Sequence, residues 1–280
     1  DGLLKAIPEL KSEELDVDNI SIKNPIDSSN MHPSIWVEIV EIIETNYVNY
    51  DGFVILHGTD TMAYTASAFS FMLENLNKAI IFTGSQIPIG ARRSDAKENL
   101  ITAVEIAASG KVNEVCIYFE DQLYKANRTV KVNTEHFEAF ESPNYPILAE
   151  AGVTIKYKSI LQKKQNQELI VHKNCSDDVA ILKLFPGIKI ATIEAIIKSA
   201  KGIIIESFGA GNASTNAEFT LLLSQEIQKG KIIMNISQCL HGEAVRGQYE
   251  TNEPFEKAGV ICGKDMTTES AITKLMFLLG

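Results

Sequence analysis

Phe53-Val54-Ile55-Leu56-His57-Gly58-Thr59-Asp60-Thr61-Met62 is an apolar run, a glycine turn and a cluster of small polar side chains. The apolar part is too short for a helix and reads as a buried parallel strand. Gly58 lets the backbone bend sharply or approach a ligand closely. Upstream, Pro33 suits a first helical position, and Ile35, Trp36, Ile39, Val40 and Ile43 fall on one helical face. Downstream the pattern predicts a helix over 62–75, a strand over 79–82 that runs into Thr83-Gly84-Ser85, a helix over 94–108 and a strand over 115–119. Strands that alternate with helices give an α/β fold, with a parallel sheet covered on both faces.

Further along, the stretch 156–178 is polar, includes Gln162-Lys163-Lys164-Gln165-Asn166-Gln167, and reads as an inter-domain connection. The alternation then restarts, with strands expected over 179–184, 202–205 and 231–236 and helices near 190–200 and 216–228. The economical division is an N-terminal domain over 1–160, a linker over 161–178 and a smaller C-terminal α/β domain over 179–280. The chain has 280 residues, 45% of them hydrophobic, which suffices for one long α/β domain or two of ordinary size. A net charge of −10 argues against a nucleic-acid or membrane-surface protein, since either needs a basic patch. No apolar run approaches the roughly 18 residues of a membrane span, and no signal-like segment is visible. Cys116, Cys175, Cys239 and Cys262 lie far apart. That spacing fits reduced thiols in a cytoplasmic protein better than a disulfide framework or a zinc site.

In open parallel sheets, ligands bind beyond the carboxyl ends of the strands. Thr59, Asp60 and Thr61 therefore stand where chemistry belongs, although Thr or Asp at such a turn is also a common helix cap. Thr83-Gly84-Ser85-Gln86 is again small and polar and again explicable as a cap. In the run Asn127-Arg128-Thr129-Val130-Lys131-Val132-Asn133-Thr134, β-branched residues flank Lys131. A half-buried lysine can act as a base toward a hydroxyl, but a lone lysine is more often a solvated strand end. Ser207-Phe208-Gly209-Ala210-Gly211-Asn212 hints at a nucleotide loop, yet lacks the third glycine and an acidic partner. The five histidines never take a metal-ligand spacing.

His57-Gly58-Thr59-Asp60-Thr61-Met62 resembles a signature of the asparaginase family. So do Asp27-Ser28-Ser29-Asn30-Met31, Phe82-Thr83-Gly84-Ser85-Gln86-Ile87-Pro88, Asn127-Arg128-Thr129, Phe208-Gly209-Ala210-Gly211-Asn212 and the stretch from Ala258-Gly259-Val260 to Asp265-Met266-Thr267. They stand in the order of the bacterial cytosolic (type I) branch and span nearly the whole chain. The resemblance implies a flavodoxin-like parallel-sheet N-terminal domain and a smaller α/β C-terminal domain. It implies an L-asparaginase that hydrolyses the side-chain amide of L-asparagine to L-aspartate and ammonia, with no metal or organic cofactor. Thr59, Asp60 and Lys131 would form a catalytic hydroxyl–carboxylate–lysine group. The hydroxyl attacks the amide, ammonia leaves, and water hydrolyses the aspartyl ester. Asp60 would also hold the substrate's α-ammonium and Ser28 its α-carboxylate, with Ser29 beside it in the binding set. The family forms dimers that usually pair into tetramers, and Asn212 would arrive from a neighbouring subunit.

Two other functions fit the same domain pair. One is the subunit of an archaeal glutamyl-tRNA amidotransferase that supplies ammonia to a partner. The other is an amino-acid sensor built on a catalytically dead scaffold. The family's N-terminal strand, which ends in a Thr-Gly-Gly-Thr motif with a second essential threonine, does not occur in this sequence. The polypeptide is therefore expected to continue N-terminally of Asp1. Members of the branch can also carry an allosteric asparagine site lined by a threonine, an arginine and a cysteine. The matching positions here are Val130, Glu206 and Cys239, so the resemblance implies hyperbolic kinetics.

Overall fold

The computed structural model describes residues 7–10, 15–164, 167–245 and 253–280, and the chain divides into two compact units at Lys173/Asn174. In the first unit, Pro33 opens α1 (Pro33–Asn46), where the ring of His32 accepts the Ser34 N–H as a cap. Trp36, Val40 and Ile43 are the buried stripe of this helix; Ile35 and Ile39 flank it half-buried. Next come β1 (Gly52–Leu56), α2 (Met62–Met72), β2 (Leu73–Glu74), β3 (Ala79–Thr83), α3 (Ala96–Ala108) and β4 (Val115–Phe119). Shorter strands follow: β5 (Gln122–Lys125), β6 (Val130–Lys131), β7 (Phe140–Glu141), β8 (Ala149–Glu150), β9 (Lys156–Tyr157) and β10 (Ile170–Val171).

The main sheet runs β1-β3-β4-β5-β8-β9. Its first three strands are parallel, with Val54 opposite Ile81 and Ile81 opposite Cys116, as alternation with helices requires. Beyond β4 the sheet departs from the expected parallel pattern, because β5, β8 and β9 are antiparallel. The cause is a two-residue turn. Phe119 pairs with Gln122, so Glu120 and Asp121 alone reverse the chain, and both have positive φ, 42° and 62°. That is the φ signature of a type I′ turn, which matches strand twist. β3 and β4 are buried throughout, but β1, expected to be buried, is only half-buried, and Leu56 is exposed. The difference follows from its place at the end of the described sheet, with a pairing partner on one side only.

Helix α2 stops at Met72, ahead of the expected 75, because Leu73 and Glu74 pair antiparallel with β10 and Asn75 takes φ 62°. Part of the stretch read as a linker thus forms a strand; Gln165 and Asn166 of that stretch lie outside the described residues.

The second unit contains β11 (Val179–Lys183), α4 (Ile190–Lys198), β12 (Gly202–Ser207), α5 (Ala217–Gln228), β13 (Ile232–Ser237), α6 (Glu253–Ala258), β14 (Ile261–Cys262) and α7 (Thr268–Leu279). Its sheet, β11-β12-β13-β14, is wholly parallel. Ile193, Ile197, Phe219, Leu223 and Phe255 close one face over Ile203, Ile205 and Ile233. Helix α7, which the sequence reading left out, starts at the cap Thr267, whose hydroxyl accepts the Ser270 N–H. It lies against β12 at Gly202, where a Cβ would stand 2.8 Å from a Leu275 methyl carbon. Glycine there is what lets helix and strand approach so closely.

Candidate active site

β1 delivers the chain to His57-Gly58, and α2 begins after its N-cap, Thr61. Thr59 and Asp60 therefore precede the cap position rather than filling it. Thr61 makes no side-chain cap bond either; its hydroxyl donates to Ser28 O at 2.7 Å. This bond draws in the turn Ser28–Asn30, and a Cβ at Gly58 would lie only 2.5 Å from Ser28 Oγ. Only glycine admits that approach. Ser28 is buried, whereas Ser29 is exposed and donates its N–H and hydroxyl to Asp27 Oδ1 at 2.9 and 2.6 Å. Those bonds hold the Asp27 carboxyl below its usual pKa.

Beneath the turn, burial lowers the pKa of His57, so the imidazole is neutral at neutral pH. Its Nδ1 is 2.7 Å from Gly58 O, an acceptor only, so Nδ1 carries the proton. Nε2, 2.9 Å from Thr65 Oγ1, then accepts the Thr65 hydroxyl, which in turn accepts Trp36 Nε1–H at 3.1 Å. This directed chain ties α1, α2 and the end of β1 together under Thr59. The neighbouring strand is held as tightly, since a Cβ at Gly84 would meet His57 O at 2.2 Å.

Lys131 enters from β6, where it pairs with Phe140 of β7. Its Nζ donates to Thr59 Oγ1 at 2.8 Å and to Asp60 Oδ1 at 2.7 Å. The lysine side chain is 15% exposed and that of Asp60 66%, so the carboxylate is open to a solute while the amine is covered. Thr59, itself buried, donates its hydroxyl to Gln86 Oε1 at 3.1 Å. Gln86, on the loop after β3, was read from sequence as part of a capping segment and of a family-like stretch, with no role of its own. The signal that could have singled it out is its place at the carboxyl end of the strand beside β1.

In the second unit, Asn212 closes a turn after β12. Its backbone exchanges two hydrogen bonds with Phe208, at 2.9 and 2.8 Å, across Gly209 and Gly211, both with positive φ. Asn235 Nδ2 supports this turn through Gly211 O at 3.2 Å. Glu206 is buried and already engaged, accepting from Thr268 Oγ1 at 2.5 Å and pairing with Lys183 Nζ at 3.2 Å. Val130 is buried in the first unit opposite Glu141, and Cys239 is exposed. Among the described residues, no group of three or more His, Cys, Asp or Glu side chains could hold a metal ion. Nor is any described helix long and apolar enough to cross a membrane.

Residues 1–163 match the family model "Asparaginase, N-terminal", and residues 178–280 match "Glutaminase/Asparaginase C-terminal domain". The chain belongs to the asparaginase family. Among relatives of this asparaginase-family chain, L-asparaginase 1 of Escherichia coli K12 is 43% identical over 99% of this chain and 83% of its own length. The crystal structure of L-asparaginase I from Vibrio cholerae superposes with a TM-score of 0.93 at 40% identity, covering 99% of this chain and 85% of that one. The thermostable L-asparaginase from Thermococcus kodakarensis gives the same TM-score at 32% identity, covering 100% of this chain and 84% of that one. As a member of the family, the chain is an amidohydrolase with the two-domain α/β fold.

Proposed function

We propose that this protein is an L-asparaginase, which hydrolyses the side-chain amide of L-asparagine to L-aspartate and ammonia with Thr59 as nucleophile. One observation carries the reading: Lys131 Nζ lies within hydrogen-bond distance of both Thr59 Oγ1 (2.8 Å) and Asp60 Oδ1 (2.7 Å). A nucleophile and a base in contact, with a third group orienting the base, is the arrangement that covalent hydrolysis needs. In its neutral form Lys131 takes the Thr59 proton as Oγ1 bonds to the amide carbon. The amide nitrogen then departs as ammonia, carrying that proton, and leaves an ester on Thr59. Water adds to the ester, breaks the bond to Oγ1 and returns the hydroxyl, with aspartate as product.

The exposed Asp60 carboxylate offers charge to an α-ammonium, and Ser28 and Ser29 lie on the turn that meets Gly58. Asn212 joins the set from a neighbouring subunit of a dimer or a dimer of dimers. The work is done in the cytoplasm, where four free thiols stay reduced. A coupled assay of ammonia release from free asparagine and free glutamine tests the reading, with asparagine the preferred substrate. Release from neither would end it in favour of a sensor, and a preference for glutamine would move it toward an amidotransferase-type subunit.

A further inference from the structure

Gln86 makes contacts that the reaction above does not use. Its two amide ends cannot be exchanged. Nε2 faces two backbone carbonyls, His136 O at 3.0 Å and Asn133 O at 3.4 Å, and carbonyls only accept. Oε1 must then face Thr59, and because it too only accepts, the Thr59 hydroxyl is the donor across 3.1 Å. The Thr59 oxygen is left to accept Lys131 Nζ at 2.8 Å. Gln86 thus decides which way the Thr59 proton points and where its oxygen rests. The glutamine is itself fixed from behind. Asp95 accepts the Gln86 and Ile87 backbone N–H groups at 2.9 and 3.1 Å. Asn99 of α3 donates to Asp95 at 3.2 Å and to Gly84 O at 3.0 Å, which ties the loop to the helix.

We infer that Gln86 is a positioning residue that acts through Thr59: by accepting the threonine hydroxyl in the resting site it fixes Oγ1 beside Lys131, and attack begins when the hydroxyl turns from Oε1 to give its proton to the lysine. This rests on the reading of Thr59 as nucleophile. The rival role is purely structural, a tether from Gln86 to the 133–136 loop. Two variants of similar length separate them. Gln86→Met removes both hydrogen-bonding functions. Gln86→Glu keeps an acceptor for Thr59 but turns a second acceptor toward the carbonyls of Asn133 and His136.

If Gln86 acts through Thr59, Gln86→Met lowers kcat at least about 10-fold with KM nearly unchanged, the pattern of a reacting atom no longer held in place. Gln86→Glu then recovers several-fold of that loss. If it is only a tether, the order inverts and Gln86→Glu is the slower enzyme, which overturns the proposal. Gln86→Met with kcat within about 2-fold of the parent also overturns it. Should Gln86→Glu fail to fold, Gln86→Met decides alone: lower kcat at unchanged KM and Tm supports the proposal, and a fall in Tm with a matching rise in KM overturns it. Thr59→Val run alongside separates the two levels. If it is inactive while Gln86→Met is normal, only the role of Gln86 falls. If it is active, the reading of the site falls and the proposal with it.

Discussion

Lys131 brings its amine to two oxygens of unlike exposure, and the two contacts predict different kinetics. Thr59→Val keeps the side-chain shape and removes the hydroxyl; Lys131→Met keeps the stem and removes the amine. If both groups act at the reacting amide, each variant loses at least about 10²-fold in kcat, the low end for a catalytic acid–base group. Asp60→Asn leaves an oxygen for Lys131 but removes the charge offered to an α-ammonium, so KM rises as kcat falls. Steady-state ammonia release measures all three, and near-normal turnover in Thr59→Val or Lys131→Met would remove the assignment. Thr59 and Asp60 were legible as candidates because the end of a parallel strand is where such sheets present chemistry. The contact to Lys131 was legible only through the family resemblance, since it joins residues 72 apart through a two-residue strand. Gln86 was harder still. Its donor end is set by the carbonyls of Asn133 and His136, and a backbone carbonyl leaves no signature in a sequence.

Short buried strands between helices could be read from apolar runs, and β3, β4, β12 and β13 fall within a residue or two of their expected bounds. The β4–β5 hairpin could not, because Glu120-Asp121 replaces the Asn-Gly or Asp-Gly pair that normally marks a type I′ turn. Helix α7 escaped for a different reason: its buried set includes Glu269, Ser270 and Thr273, which blur the apolar stripe. The hairpin carries a prediction. A non-glycine residue at positive φ costs about 1 kcal/mol or more, and the like charge of Asp121 helps to raise the Glu120 pKa, behind burial. Asp121→Gly relieves both, at the cost of added freedom in the unfolded chain. The net gain is about 0.5 kcal/mol, seen as a higher urea midpoint at unchanged m. A lower midpoint would mean that the turn is held by something other than its φ angles.

Across the whole molecule, the restart of strand–helix alternation marked the second sheet, because each unit closes its own apolar core. Each unit also buries a titratable group, and the two groups respond to pH in opposite directions. In the first unit burial lowers the pKa of His57 from its ordinary 6.5. The folded state resists protonation there, so the stability His57 contributes is complete above 6.5 and is lost as pH falls through the lowered value. In the second unit Glu269 is buried, one carboxyl oxygen has no hydrogen-bond partner among the described residues, and Glu206 adds like charge. Burial first, then Glu206, raise its pKa above the ordinary 4.5, although bonds from its own backbone and from Thr267 pull the other way. Its contribution is therefore complete below 4.5 and is lost as pH rises through the raised value. Glu269→Gln keeps the shape of the protonated acid and cannot ionise. It should melt at a higher temperature than the parent at neutral pH, and the gap should close as pH falls below 4.5. Calorimetric scans of parent and variant across that range test this, and two melting curves that stay parallel at every pH would show that Glu269 ionises in the folded protein at no cost.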